Sequence, residues 1–242
     1  SPTDVRCQTP GGIVKFFDLR FENGTRRPSA PVAIQANTID VISGTLATGQ
    51  TTLTMTPADI DIIGGTLAVE AGGTLELGTT SVVDVQAGGA LSVEGTAGNV
   101  ATVSGSGGNG WSIVVNGNIA ARNFRFEEAG PGGLCITNAA TLAAAPSDLR
   151  AGTFDLPSNM PGSMLLDVQR PTATEFRYVT FEDTLGVGTN NVRCMGGAPI
   201  TFINFAGAFA GDAFENDPNT LVTWGPPEQT QVAAFVATPD VE

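Results

Sequence analysis

The chain of 242 residues has no histidine, one lysine and one tyrosine. Without histidine, neither a Ser-His nor a Cys-His nucleophile can form, and the commonest partner of cysteine in mixed zinc sites is missing. General acid and base catalysis would depend on carboxylates alone. These absences favour a non-catalytic protein over an enzyme.

Basic residues are also scarce, because 11 Lys and Arg stand against 24 Asp and Glu and leave a net charge of −13. Nucleic acids and anionic membranes bind clustered cations, so neither is expected as a partner. The acidic excess instead predicts a use in solubility or in binding divalent cations.

The sequence contains no run of about 20 apolar residues, the length that crosses a bilayer, so membrane insertion is not expected. The first residues show no charged region followed by an apolar one, which is the pattern of a secretory signal. We therefore expect a mature, secreted chain that lies outside the cell or at its surface.

The three cysteines, Cys7, Cys135 and Cys194, lie too far apart to form a metal-binding motif such as C-x-x-C. Their odd number leaves at least one thiol without a partner in the same chain. Two interpretations stay open for that thiol. It is either buried and inert, as free cysteines often are, or it forms a disulfide between two chains, for which Cys7 is the candidate.

Short β-branched runs separated by glycine fill residues 32–115. Within these runs apolar and polar residues alternate, as in Asp59-Ile60-Asp61-Ile62, which predicts half-buried strands. A Gly-Thr/Ala-Leu phrase places Leu46, Leu67 and Leu91 at steps of 21 and 24 residues. Such a period indicates coils whose strands stack on those of the next turn.

A second phrase recurs in the following part of the chain and ends in phenylalanine at Phe126, Phe154, Phe181 and, in a looser copy, Phe205. The steps of 28, 27 and 24 residues again indicate a repeat. We expect these four rings to stack inward as a core ladder, about 4.8 Å from one strand to the next.

The segments FDLRFENG, RNFRFEEAG and RYVTFED, together with the glycine-bounded strands, resemble right-handed parallel β-helices of the pectin-lyase-like superfamily over about residues 13–225. The resemblance and the repeats predict an all-β fold: a right-handed β-solenoid of about eight or nine coils at 13–225. An extended N-terminal tail (1–12) and a strand-like C-terminal tail (226–242) flank it. This superfamily includes polysaccharide lyases and hydrolases, adhesins and phage spikes, so the fold by itself does not imply an activity.

An acid follows the phenylalanine in three copies of the phrase, at Glu127, Asp155 and Glu182, and these carboxylates are expected to form one outward column. One interpretation combines them with Arg150 or Arg177 in a polysaccharide-active site, as the resemblance to pectate lyases implies; the histidines of related polygalacturonases are missing. The other interpretation is that the acids are solvated and pair with arginines at the opposite end of each strand, without catalysis.

A glycine-rich loop carries a second acidic group, Asp212, Glu215 and Asp217. Oxygen ligands on such a loop suit Ca²⁺, although the spacing differs from that of an EF-hand. The fold itself requires no cofactor, so calcium is the one metal that the sequence suggests.

The ends of the predicted solenoid carry the functional expectation, because an uncovered sheet edge is a template for another chain. The C-terminal tail has an apolar stripe, Val232, Ala234 and Val236, with Phe235 on the other side. The tails either cap their own solenoid or pair with the edge of a neighbour. We expect a structural subunit of an extracellular filament, sheath or adhesin that self-associates head to tail into a homopolymer. The alternative is a polysaccharide-binding or polysaccharide-cleaving β-helix.

Overall fold

The computed structural model describes residues 13–15, 18–56, 59–78, 80–106, 110–155, 163–184, 186 and 189–225. Its strands are, in chain order, β1 (Ile13–Lys15), β2 (Asp18–Phe21), β3 (Thr25–Arg26), β4 (Val32–Gln35), β5 (Thr38–Val41), β6 (Thr45–Ala47), β7 (Thr52–Met55), β8 (Asp59–Ile62), β9 (Thr66–Glu70), β10 (Thr74–Leu77), β11 (Val82–Val85), β12 (Ala90–Glu94), β13 (Ala101–Gly105), β14 (Trp111–Val115), β15 (Asn118–Arg122), β16 (Phe124–Glu127), β17 (Ala129–Ile136), β18 (Thr141–Leu142), β19 (Asp148–Arg150), β20 (Gly152–Asp155), β21 (Met164–Val168), β22 (Thr174–Arg177), β23 (Val179–Glu182), β24 (Asn190–Arg193), β25 (Ile200–Ile203) and β26 (Val222–Trp224). One 3-10 helix, Asp212–Phe214, is the helical element of the described residues.

The strands form stacked parallel sheets in which each strand pairs with the strand about three places along the chain. The first sheet has the order β1-β4-β7-β10-β13-β16-β20-β23, and the second has β2-β5-β8-β11-β14-β17-β21-β24. The third runs from β3 through β6, β9, β12 and β15 to β18 and β19, and the short sheet β22-β25-β26 follows it. Each circuit of the chain therefore adds one strand to every sheet, so the predicted all-β parallel solenoid is confirmed, with eight coils.

A partial ninth coil closes the described part of the stack. Ala206 bridges Thr180 of the first sheet, Asn216 bridges Arg193 of the second, and β26 continues the third side. None of the described residues forms a helix that is long and apolar enough to cross a membrane.

The core is built from inward-facing side chains that repeat at the same place in successive coils. In the first sheet one inward column consists of Leu53, Leu75, Val103, Phe126, Phe154 and Phe181, which are register partners in turn. Each of them is at most 1% exposed. The Phe126 and Phe154 rings are stacked 5.5 Å apart, and so are those of Phe154 and Phe181. Three of the four predicted ladder residues therefore stack on one another.

One residue in the left-handed conformation joins the third side of the solenoid to the first sheet in four successive coils. These corner residues are Asn123, Ala151, Tyr178 and Asn204, with φ angles of 44°, 54°, 58° and 55°. A positive φ at a single residue turns the chain sharply, so one residue is enough to form the corner. The corner explains the recurring phrase, since each copy consists of a strand end, a corner and the strand that follows.

Phe205 does not belong to the phenylalanine ladder, and that part of the prediction is wrong. It follows the corner residue Asn204 directly, as Phe124 follows Asn123, and the bridge between Thr180 and Ala206 sets the same register. In this register Gly207 lies opposite Phe181. A Cβ atom on Gly207 would lie 2.0 Å from the Phe181 carbonyl oxygen. The backbone therefore crosses directly over Phe181 and ends the ladder.

Candidate functional site

The predicted acid column exists on the outer face of the first sheet. Glu127 pairs in register with Asp155, and Asp155 with Glu182. Arg125 neutralises two of these acids, because its Nε lies 2.5 Å from Glu127 Oε2 and its Nη2 lies 2.7 Å from Asp155 Oδ2. The Asp155 carboxylate is buried and also accepts a hydrogen bond from the Thr184 hydroxyl at 3.0 Å. Two of the three acids are thus held in a structural network.

The environment of Arg125 shows how strong this network is. Burial by itself lowers the Arg125 pKa, but the hydrogen bonds and charges of Glu127 and Asp155 outweigh it and hold the pKa above its ordinary value. The guanidinium therefore stays charged and keeps the two carboxylates in their salt bridges.

Arg150 and Arg177 do not join the acid column. Arg150 forms a two-point salt bridge with Asp148, at 2.6 and 2.7 Å, and Arg177 forms a salt bridge with Glu175 through its Nε atom. Both lie on the third side of the solenoid, and strand β20, which is about 10 Å long, separates Arg150 from Asp155. The pairing of these arginines with the acid column, which the sequence suggested, is replaced by short-range pairs within their own strands.

The acidic loop before β26 uses two of its three carboxylates to hold the last coil together. Glu215 Oε2 accepts a hydrogen bond from Trp224 Nε1 at 2.7 Å, and Asp217 Oδ2 accepts one from the Val222 amide at 2.6 Å. Burial, together with the nearby charges of Asp212 and Asp217, raises the pKa of Glu215. Asp212 is exposed.

Over the described residues, no group of three or more acidic or cysteine side chains is arranged to hold a metal ion. Calcium binding by Asp212, Glu215 and Asp217 therefore has no preformed cage in the described structure. It stays a prediction that solution measurements can test.

Sequence reasoning passed over a second acid column. Asp40, Asp61 and Asp84 are register partners on the outer face of the second sheet. Their polar partners are Arg20 for Asp40 at 3.7 Å, Gln86 for Asp61 at 3.2 Å and Asn116 for Asp84 at 3.1 Å. The alternation in Asp59-Ile60-Asp61-Ile62 indicates that Asp61 faces outward. It does not indicate which residues of the adjacent coils lie next to Asp61.

The two cysteines of the described residues are free thiols. Cys135 is half-buried, and burial together with the neighbouring Asp167 raises its pKa to about 12. Cys194 is buried, and burial raises its pKa as well. Both fit the interpretation of inert thiols, because a thiol with a raised pKa forms little thiolate. Cys7 lies outside the described residues, and so does the C-terminal stripe Val232, Ala234, Phe235 and Val236.

The two ends of the solenoid differ from its middle. We call residues 13–15 and 18–35 the first-coil end and residues 204–225 the last-coil end. Leu19 and Phe21 at the first-coil end, and Leu221 and Trp224 at the last-coil end, pack against the core but are only partly buried. Inward side chains of the middle coils, such as Leu67, are completely buried. Among the described residues, the core is therefore less completely enclosed at both ends than in the middle.

Strand edges and charges also distinguish the two ends. Strands β1, β2 and β3 each stand last in their sheet among the described residues. The first-coil end carries four basic and two acidic residues, whereas the last-coil end carries three acids and no base. The ends thus combine half-buried apolar groups with charge of opposite sign.

Comparison of the chain with protein-family models, with curated proteins and with solved structures gave no match.

Proposed function

We propose that this chain is a structural subunit of an extracellular assembly, a filament, sheath or adhesin, in which solenoids stack head to tail. In this proposal it is a non-catalytic relative of the right-handed, pectin-lyase-like β-helices, to which its repeat phrases are similar. Its partner is a second copy of the same chain, and no cofactor is required.

The less completely enclosed core at the two ends carries the proposal. Leu19 and Phe21 at one end, and Leu221 and Trp224 at the other, expose apolar surface that an interior coil would cover. Removing such surface from water stabilises the contact by about 25 cal/mol per Å². A second copy supplies a surface of the same cross-section, because every coil of a solenoid follows the same circuit.

The edges of the sheets support the same arrangement. Strands β1, β2 and β3 have a neighbour on one side within the described residues, so their other edge can accept a further parallel strand. Stacking that joins the first coil of one copy to the last coil of another is heterologous. It therefore builds an open filament instead of a closed dimer.

The state of the charged groups speaks against catalysis on the first-sheet face. Arg125 bridges Glu127 and Asp155, and Asp155 is buried, so both carboxylates are engaged in ion pairs within the protein. Glu182 would act without an arginine partner from Arg150 or Arg177, because those residues are paired on another side of the solenoid.

Electron microscopy and sedimentation velocity on the purified full chain test the proposal. Filaments with an axial repeat of one subunit are expected, with sedimentation coefficients that rise with protein concentration. A matched chain that ends at Gly225 separates the role of the C-terminal tail from that of the solenoid ends. A full chain that stays monomeric at every concentration contradicts the proposal.

A second candidate function is polysaccharide binding on the outer face of the first sheet. Thr52, Thr74 and Thr102 form a hydroxyl column there, next to Glu76. Such a flat array of hydroxyls and carboxylates can donate and accept hydrogen bonds with a sugar chain. Calcium-dependent cleavage or saturable binding of an acidic polysaccharide by monomers would favour this alternative over the assembly.

A further inference from the structure

An arginine occupies an apolar core position at the first-coil end. Arg26 is the register partner of Leu46, which leads the inward column Leu46, Leu67, Leu91 and Ile119. Those four apolar residues are at most 3% exposed. Thr25, the neighbour of Arg26, is exposed, whereas Arg26 is half-buried. The column thus begins with a guanidinium, whereas the next four coils have a leucine or an isoleucine at this position.

The corresponding inward position of the last coils lies in the short sheet β22-β25-β26 and ends at Val222. Ile119 lies four residues before its corner residue Asn123, as Thr174 does before Tyr178 and Ile200 before Asn204. Thr174 pairs with Ile200, and Ile200 pairs with Val222. If the last coil of one copy meets the first coil of the next in register, Arg26 is placed over Val222.

Two carboxylates lie beside that end of the column. Asp217 accepts the Val222 amide hydrogen at 2.6 Å, and Glu215 accepts the Trp224 indole hydrogen at 2.7 Å. Trp224 is two residues from Val222, and a diagonal neighbour on an adjacent strand is about 7 to 8 Å away, within reach of an arginine. The last-coil end thus offers Arg26 negative charge and an aromatic face.

We propose that Arg26 of one copy binds Glu215 and Asp217 at the last-coil end of the next copy, and that this contact fixes the polarity of the stack. This inference rests on the proposed head-to-tail assembly and names its recognition residues. A guanidinium that is enclosed between two coils must be paired, because an unpaired buried charge is strongly unfavourable. Arginine suits this place, because its apolar stem covers the column while its planar head reaches the carboxylates.

The opposite charges also exclude wrong arrangements. Two first-coil ends would bring two Arg26 side chains together, and two last-coil ends would oppose their acids. Like charges at close range are repulsive and unfavourable for binding. Only the head-to-tail joint pairs Arg26 with acids, so the contact gives specificity as well as affinity.

Sedimentation velocity with full-length variants tests the contact. Arg26→Gln and Glu215→Gln each remove one charge at the joint. Arg122→Gln and Glu94→Gln are matched controls, because they remove the same charges from a salt bridge in the middle of the solenoid. Each joint variant is expected to raise the dissociation constant about tenfold or more, and each control to change it little. Circular dichroism melts establish that all four variants are folded.

A charge exchange makes the test stricter. Arg26→Glu and Glu215→Lys should each fail to form long assemblies alone, and an equimolar mixture should restore them, since each variant then supplies the complement of the other. Wild type that assembles while Arg26→Gln assembles equally well or more tightly overturns the contact but leaves the proposed function intact. If Arg26→Gln assembles more tightly than wild type, the role of Arg26 is to prevent stacking at the sheet edge. Wild type that never assembles refutes the proposed function itself.

Discussion

A single left-handed residue forms each corner between the third side and the first sheet. Ala151 is exposed and adopts a φ of 54°, a conformation that costs an L-residue with a Cβ atom about 1 kcal/mol or more. Glycine adopts this conformation without that strain. The corner therefore carries local strain that a substitution can remove.

Ala151→Gly is expected to stabilise the protein by about 0.5 to 1 kcal/mol, although glycine usually destabilises a folded chain. Urea denaturation monitored by circular dichroism measures the change. Ala120→Gly, in the middle of strand β15, is the control and should destabilise by a similar amount. The same sign for both substitutions would contradict the role of the corner.

Phe154 is the central ring of the phenylalanine ladder. Phe154→Ala should reduce the free energy of unfolding by about 3 to 5 kcal/mol, because it removes a ring stacked on both sides and leaves a cavity. Phe205→Ala is the matched control. Phe205 is only partly buried and contacts Trp224 edge-on at 4.9 Å, so its loss should cost clearly less. Equal losses of unfolding free energy for the two variants in denaturant titrations would show that the ladder does not stabilise the protein more than other aromatic contacts do.

At the scale of elements, the last coil depends on a carboxylate whose pKa is raised. Burial raises the pKa of Glu215 above its value in an unfolded chain, so its charged form is disfavoured in the folded state. A raised pKa adds stability that is present at low pH and is lost as the pH rises through the folded pKa. The negative charge of Glu215 should therefore destabilise the last coil at neutral pH.

Glu215→Gln should raise the melting temperature at about pH 7, because the amide oxygen can still accept the Trp224 hydrogen bond without a charge. The advantage should shrink as the pH falls through the raised pKa of Glu215, where the wild-type carboxyl group becomes protonated. Thermal melts of both proteins across this range measure the difference. An advantage that does not depend on pH would mean that packing, not charge, is responsible.

At the scale of the whole molecule, charge is unevenly distributed along the solenoid. Residues 28–121 contain seven acids, Asp40, Asp59, Asp61, Glu70, Glu76, Asp84 and Glu94, and no basic residue. Asp40, Glu70 and Glu94 form salt bridges with Arg20, Arg27 and Arg122. Asp61 and Asp84, whose side-chain partners are the neutral Gln86 and Asn116, stack about 5 Å apart, so their repulsion opposes folding. The positive residues lie near the first-coil end and in the later coils.

Added salt should therefore stabilise the protein. Raising NaCl from about 0.02 to about 0.5 M should increase the melting temperature, since the Debye length becomes shorter than the spacing of the acids. Calcium chloride at equal ionic strength tests ion binding separately. A larger gain with calcium than with NaCl would support the predicted Ca²⁺ site, and equal gains would show that screening alone acts. A fall in melting temperature with NaCl would contradict the account of repulsion.

The sequence by itself determined the period, the alternation and therefore the solenoid. Leu46, Leu67 and Leu91 predicted coils, and the structure places them in register in the third sheet. This was readable because each coil repeats the same local requirement, an apolar side chain inside and a polar one outside. The acid column of Glu127, Asp155 and Glu182 followed from the same alternation.

Only the tertiary structure decided which residues meet across coils and corners. The phrase around Phe205 is similar in sequence to the other copies, but its corner residue Asn204 lies two residues later in the phrase, so Phe205 falls outside the ladder. Register depends on backbone conformation and not on residue identity. Arg125, not Arg150 or Arg177, pairs with the acid column, since it lies on the same face of its strand as Glu127 and one coil away from Asp155. The position of Arg26 in an apolar column likewise needs the register of β3 with β6, which separation along the chain does not reveal.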